Sequence, residues 1–199
     1  MERFNKVAHK WDEKPRRILM GKAVSSAMLK AVDFSGKSAL EIGSGTGLVG
    51  LPVAEKAKSV LGIDTSLEMT KVFNQKVEEL EISNAKAEVK DLFKDELPKV
   101  DAIFSSMVFH HIENTREALI RCYELLNEDG KILIADLNTE DGSFHGENSE
   151  GIYHNGFCRK FFENLLQKVG FKNISIKTVH EIEKNEKSYK IFLAVASKG

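Results

Sequence analysis

The sequence predicts an α/β three-layer sandwich, a mostly parallel sheet covered by helices on both faces and finished by an antiparallel strand. Three observations predict it. Short β-branched apolar runs alternate with longer stretches whose apolar residues recur every three or four positions, the signature of repeated strand-helix-strand units. A glycine-rich turn follows the first strand directly. Two final extended segments are joined by a connection too short for a parallel crossover, so they pair antiparallel.

The elements follow in order. Residues before Lys37 read as one or two helices outside the sheet, an N-terminal cap over 1–36. The first strand spans 38–42, and a helix is expected over 48–57, with Pro52 in its first turns where a missing N–H costs little. The second strand, 59–64, runs into Thr65-Ser66-Leu67-Glu68, which reads as a capping box with Thr65 as the cap and Glu68 reaching back. Met69, Val72, Phe73, Val77 and Leu80 then mark one buried helical face. An edge strand is expected over 85–92, where Ala87 and Val89 alternate with charged residues.

The fourth strand spans 100–105. Asn114 with Glu117 opens the next helix, and Gly130 is expected to end it as a left-handed cap. The fifth strand, 131–137, carries the continuous apolar run Ile132-Leu133-Ile134 of a sheet centre. The polar stretch 138–155 is long enough to act as a lid on the substrate side. A last helix is expected over 157–169, its stripe Phe157, Phe161, Phe162, Leu165 and Val169 entirely core and Gly170 its terminator. The hairpin uses about 171–179 and 187–196, with a charged loop around 181–184 between them. One domain accounts for residues 1–199.

Composition narrows the function. The chain has 199 residues, 42 % hydrophobic and 30 % charged, enough for one core without staples and unlike a disordered segment. The 29 basic residues nearly balance the 30 acidic ones, which disfavours a polynucleotide backbone as partner. Cys122 and Cys158 form no CxxC pair and read as buried small hydrophobes in a reducing compartment. The N-terminus lacks the apolar run of a secretory signal, and no run of about 18 apolar residues predicts a membrane span, so a cytoplasmic protein is expected.

The chemistry is concentrated in Glu41-Ile42-Gly43-Ser44-Gly45-Thr46-Gly47. Glycines between a strand and a helix let ligand atoms approach the backbone, because no Cβ intervenes and positive φ is accessible. Gly45-Thr46-Gly47-Leu48-Val49-Gly50 also satisfies the dinucleotide fingerprint GxGxxG, a weak match alone. Glu41 argues against a pyrophosphate there, since a carboxylate beside the first glycine repels phosphate and attracts an ammonium or sulfonium. Asp64, at the tip of the second strand, is placed to accept hydrogen bonds from a ribose diol in either ligand class.

With these residues the sequence resembles the class I S-adenosylmethionine-dependent methyltransferases, in their small-molecule branch. The likeness runs from Lys37 to Lys198 through Glu41-x-Gly43-x-Gly45-x-Gly47, Asp64, Asp91-Leu92, Phe109-His110-His111-Ile112 and the terminal hairpin. It implies a Rossmann-like, seven-stranded sheet with a reversed last strand and S-adenosylmethionine as cofactor. It further implies that Glu41 meets the methionine amino group beside the backbone of Gly43, Ser44, Gly45, Thr46 and Gly47. Asp64 would hold the ribose hydroxyls, Thr65 and Met69 would flank the adenine, Asp91 and the Leu92 N–H would read its edge, and the backbone near Ser105 and Ser106 would line the methionine. Where amino-methylating branches carry Asn-Pro-Pro-Tyr, this chain reads Ser105-Ser106-Met107-Val108, which disfavours adenine or glutamine as acceptor.

His110 and His111 fall at the carboxyl edge of the sheet, where a neutral imidazole is a candidate base for a small-molecule acceptor; the alternative for one of them is to satisfy the backbone of the following turn. His145, His154, Asp136 and Asp141 match no metal-ligand spacing, so no metal is expected. Trp11, with Phe4 before it and Arg16-Arg17 after it, either closes over the cofactor or packs on the sheet. Two rival functions share the pocket: an NAD-binding oxidoreductase, and a non-catalytic cofactor-binding subunit that regulates a partner. A monomer or a homodimer is compatible with everything above.

Overall fold

The C-terminal ends of four neighbouring strands, Ile42, Asp64, Val89 and Ser106, come to one edge of a seven-stranded sheet ordered β3-β2-β1-β4-β5-β7-β6. The computed structural model describes residues 2–146 and 151–199. Its strands are β1 (Ser38–Ile42), β2 (Ser59–Asp64), β3 (Ala85–Val89), β4 (Val100–Ser106), β5 (Leu126–Leu137), β6 (Lys172–Lys184) and β7 (Lys187–Ser197). β1 to β5 pair in parallel, and β7 lies antiparallel between β5 and β6. The chain works outward from β1 to β3 and then returns to β4, so the order reverses between β1 and β4. That reversal opens the crevice where such sheets bind ligands.

Period-two alternation divides the sheet residues between two cores. Ala39, Phe104 and Leu133 face one, with Val24 and Met28 of α2 (Pro15–Ala31), Val53 of α3 (Gly50–Ala54) and Phe73 of α4 (Leu67–Glu79). Leu40, Ile42, Ile103 and Ile132 face the other, with Leu119 and Cys122 of α5 (Thr115–Leu125) and Phe162 and Leu165 of α6 (Arg159–Val169). Ahead of α2, α1 (Glu2–Val7) and a 3₁₀ turn (Ala8–Glu13) lie across the site edge. No helix among the described residues is long and apolar enough to cross a membrane.

Several boundaries differ from expectation, each for a local reason. The helix expected over 48–57 is only Gly50–Ala54, and Lys56 N and Ala57 N both close on Val53 O where it ends. Ser66, not Thr65, caps α4: its Oγ accepts from Met69 N at 3.2 Å. Glu68 does not reach back, since the Ser66 N–H already donates to Asp64 at 2.8 Å, and Glu68 pairs with Lys71. Leu80 lies past that helix and is 63 % exposed. β3 stops at Val89, where a turn begins in which Asp91 Oδ1 accepts from Phe93 N and Asp95 Oδ2 from Asp91 N.

Asn114 caps α5 as expected. Gly130 is no helix cap, however. Leu126 pairs with Val100 and enters β5 directly after α5, leaving Gly130 inside the strand while Asp129 takes φ +60°. α6 begins at Arg159, since Phe157 is held extended by its N–H bond to Leu137 O. Phe162 and Leu165 are core, but Phe161 is 57 % exposed. Cys122 is buried and Cys158 is exposed.

The charged residues 181–184 belong to β6, where Ile182 pairs with Tyr189, both buried. Asn185 and Glu186, at φ +51° and +61°, make the two-residue hairpin turn. Of the lid-like stretch, residues 147–150 lie outside the described residues. Its flanks are tied down, Thr139 N to Phe157 O and Glu140 N to Asn155 O.

Candidate functional site

A cavity of about 530 Å³ sits at the switch point, floored by the glycine turn and the ends of β1, β2 and β4 and roofed by Phe4 and Trp11 of the N-terminal segment. Of the sequence-predicted residues, Glu41, Gly43, Ser44, Gly45, Thr46, Asp64, Thr65, Met69, Asp91, Leu92, Ser106 and His111 line it; Gly47 and His110 do not.

The turn is built by backbone bonds to the next strand. Gly43 N and Ser44 N donate to Ile63 O at 2.8 and 3.0 Å, and Gly45 N donates to Asp64 Oδ2 at 2.9 Å. Gly43 sits at φ +67°, where a Cβ would lie 2.3 Å from the Val108 side chain. Gly47 is a packing residue: a Cβ there would lie 2.9 Å from both Leu51 and Phe73. The last glycine of the dinucleotide-like match, Gly50, leaves room for Glu41, whose Oε2 would be 2.0 Å from a Cβ. That fingerprint therefore spaces side chains of the fold, and its second and third glycines meet no ligand space.

Two carboxylates set the electrostatics. Glu41 is 2 % exposed and its Oε2 has no hydrogen-bond partner. Burial, reinforced by the Asp64 charge, holds its pKa well above the ordinary carboxylate range, against a bond from the Gly50 N–H. Asp64 is also raised by burial, opposed by the N–H groups of Ser66, Gly45 and Thr65 that donate to it. A cation brought between these groups would hold both ionised. Ser44 and Ser106 line the cavity, and their Oγ atoms are likewise buried without partners, that of Ser44 lying 2.8 Å from where a Cβ on Gly62 would stand. Two buried carboxylates beside a glycine turn fit the ammonium and ribose hydroxyls of S-adenosylmethionine and repel a pyrophosphate. Ser105, by contrast, spends its hydroxyl on Ile42 O at 2.9 Å.

The N-terminal segment is tied to both cofactor loops. Asn5 Oδ1 accepts from Ser66 Oγ and Glu68 N, and Asp12 accepts from Thr46 Oγ1 and from Lys76, which also donates to Thr46 O. Trp11 lines the cavity with the Arg17 guanidinium 3.5 Å above its ring. It closes over the cavity and does not pack on the sheet. These ties, formed between residues far apart in the chain, leave no mark in the sequence.

The double histidine divides into two roles. His110 is buried, with Nδ1 2.7 Å from Asp136 Oδ1, and its carbonyl accepts from Tyr153 N and His154 N. His111 lines the cavity, and its Nδ1 lies 2.7 Å from Gly151 O. A carbonyl only accepts, so Nδ1 carries the proton and Nε2 the lone pair. Burial, with His110 nearby, lowers the His111 pKa to about 4. His145 packs 5.0 Å from the His110 ring, and His154 Nε2 bonds near Thr115 and Ile112 O; neither lines the cavity. Asp141 pairs with Lys187. Among the described residues no group of three or more His, Cys, Asp or Glu could hold a metal.

Comparison with known proteins agrees with this geometry. The sequence profile of a methyltransferase domain matches residues 40–132. An uncharacterized methyltransferase of Schizosaccharomyces pombe is 31 % identical over 158 residues, 71 % of this chain and 56 % of that protein. A ubiquinone biosynthesis O-methyltransferase of Glaesserella parasuis is 30 % identical over 149 residues, 69 % of this chain and 63 % of that protein. An uncharacterized methyltransferase of Bacillus cereus is 30 % identical over 155 residues, 75 % of this chain and 70 % of that protein. The chain thus spans little more than half the length of the yeast relative. In fold it resembles the crystal structure of a SAM-dependent methyltransferase from Aquifex aeolicus, with a TM-score of 0.74, 19 % identity and 98 % of each chain covered. Profile, relatives and fold agree: the chain belongs to the class I S-adenosylmethionine-dependent methyltransferases, with S-adenosylmethionine as its cofactor.

Proposed function

We propose that this chain works as a single domain that transfers a methyl group from S-adenosylmethionine to a small-molecule acceptor by direct in-line displacement. The observation that carries the reading is the buried Glu41 carboxylate, which lines the cavity with the glycine turn and Asp64. When bound, the cofactor supplies an electrophilic methyl group on a sulfonium. Glu41 and the turn backbone hold the methionine amino end; Asp64 accepts from the ribose hydroxyls; Thr65, Met69, Asp91 and the Leu92 N–H enclose the adenine. Ser106 lines the methionine side.

On the acceptor side, Phe4, Trp11, Met20, Met107 and Tyr153 give a largely apolar wall with His111 in it. The Nε2 lone pair of His111 accepts the proton of a hydroxyl acceptor as its oxygen takes the methyl. The protein otherwise aligns the two groups and excludes water. The name of the Glaesserella relative, an O-methyltransferase, and the balanced charge of this chain support a small hydroxylated acceptor over a polyanion.

Incubation with methyl-labelled S-adenosylmethionine and a small-molecule extract tests the reading. Label should appear in a low-molecular-weight product and be lost with His111→Ala. Label in nucleic acid or protein alone would contradict it, and no label at all would favour a regulatory subunit.

A further inference from the structure

The carboxylate of Asp136 is fully buried near the end of β5, between β4 and β7. Burying a carboxylate is costly, and an apolar residue in its place is often no worse for stability. What Asp136 holds is specific. Its Oδ1 accepts from His110 Nδ1 at 2.7 Å and from Leu137 N at 2.7 Å, and its Oδ2 accepts from His110 N at 3.2 Å. One carboxylate thus grips His110 by both backbone and ring. From the other side the His110 carbonyl receives Tyr153 N and His154 N at 3.0 and 3.2 Å.

His111, the next residue, inherits that placement. Its ring centroid lies 4.2 Å from that of His110 and 5.4 Å from that of Phe4, and its Nδ1 meets Gly151 O. Gly151 and Tyr153 belong to one short segment, and that segment is docked on the His110 carbonyl. If His110 swings, the segment and the partner of His111 Nδ1 move with it.

We propose that Asp136, acting through His110, is a positioning residue that fixes the tautomer and direction of the His111 imidazole. The inference rests on His111 being the base. Neither His110 nor Asp136 serves as a substitute base, because both are buried and neither lines the cavity.

Proton–nitrogen correlation spectra of protein labelled on its histidine nitrogens read the tautomer without any acceptor. In the wild-type protein His111 should show one tautomer, Nδ1 protonated and Nε2 bare. Asp136→Asn should lose that single-tautomer signature while affinity for S-adenosylhomocysteine stays within about twofold, because the cofactor loops lie on other strands. An unchanged His111 signal in Asp136→Asn overturns the proposal. Should that variant not fold, His110→Phe and His110→Asn decide it: the amide of the latter stands in for the Nδ1–H donor and should restore the signature that the former loses. Identical His111 spectra in both overturn it. A protonated Nε2 in the wild-type protein would instead refute the base role of His111 itself, a distinct outcome.

Discussion

The Thr46 hydroxyl donates to the Asp12 carboxylate at 2.7 Å, joining the roof of the cavity to its floor across 34 residues of chain. Lys76 clamps the same pair, donating to Asp12 and to Thr46 O. The glycine turn is therefore held by the segment that covers it. Asp12→Ala removes one charged hydrogen bond and unpairs Lys76. We expect the dissociation constant for S-adenosylhomocysteine, read by isothermal titration, to rise about tenfold, the equivalent of about 1.4 kcal/mol. An unchanged affinity would mean that the roof does not preorganise the turn.

Asp64 stands at the end of β2 with Gly45 N on one oxygen and Ser66 N on the other. Each oxygen keeps a second lone pair for a ligand hydroxyl. Asp64→Ala should weaken cofactor binding by about one to two orders of magnitude, and Asp64→Asn, which keeps one acceptor, by less. Equal losses in both variants would assign the effect to the turn and not to the ligand.

Glu41 gives the pH dependence. Its folded pKa is raised by burial and by Asp64, so the ligand-free protein binds a proton there that the unfolded chain has released. Its stabilising contribution is complete below the ordinary carboxylate pKa and is lost as pH rises through the raised value. Glu41→Gln should therefore gain stability relative to wild type as pH rises in a series of thermal melts. Cofactor binding has the opposite sign, because a cation needs the carboxylate: wild-type affinity should fall on acidification through the raised pKa, while Glu41→Gln should bind about tenfold or more weakly and without that pH dependence. His111, with a pKa near 4, stays neutral throughout that range and does not set the acid limb.

Two glycines separate packing from binding. Gly45 faces open space in the cavity at φ +51°, whereas a Cβ at Gly47 would press on Leu51 and Phe73 at φ +84°. Gly47→Ala should cost about 1–3 kcal/mol of stability from overpacking and backbone strain. Gly45→Ala should cost about 1 kcal/mol, chiefly from its backbone angle, yet lose more cofactor affinity. The reverse ranking, in melts and titrations, would move the binding surface to Gly47.

The alternation of strands and helices, the hairpin and the acidic tips of β1 and β2 were legible because each follows from local periodicity or a turn that glycine permits. Boundaries failed where a tertiary contact overrode the local signal. Leu126 is drawn into the sheet by Val100 before Gly130 can cap a helix, and the cap falls on Ser66, whose Oγ is held between Asn5 Oδ1 and Met69 N. The site was legible wherever the backbone itself makes it. It was illegible at Asp12, Asn5 and Asp136, whose partners Thr46, Ser66 and His110 lie 34, 61 and 26 residues away in the chain. For the double histidine, sequence spacing placed both residues at the site edge, but only the fold turns His111 inward and His110 toward Asp136.

Titration of the wild-type protein with S-adenosylhomocysteine and, separately, with NADH tests the central assignment of the Glu41 and Asp64 cleft most directly. Binding of S-adenosylhomocysteine at one site per chain, weakened by Asp64→Ala, with no heat from NADH, is the expected result. Binding of NADH with silence toward S-adenosylhomocysteine would contradict it.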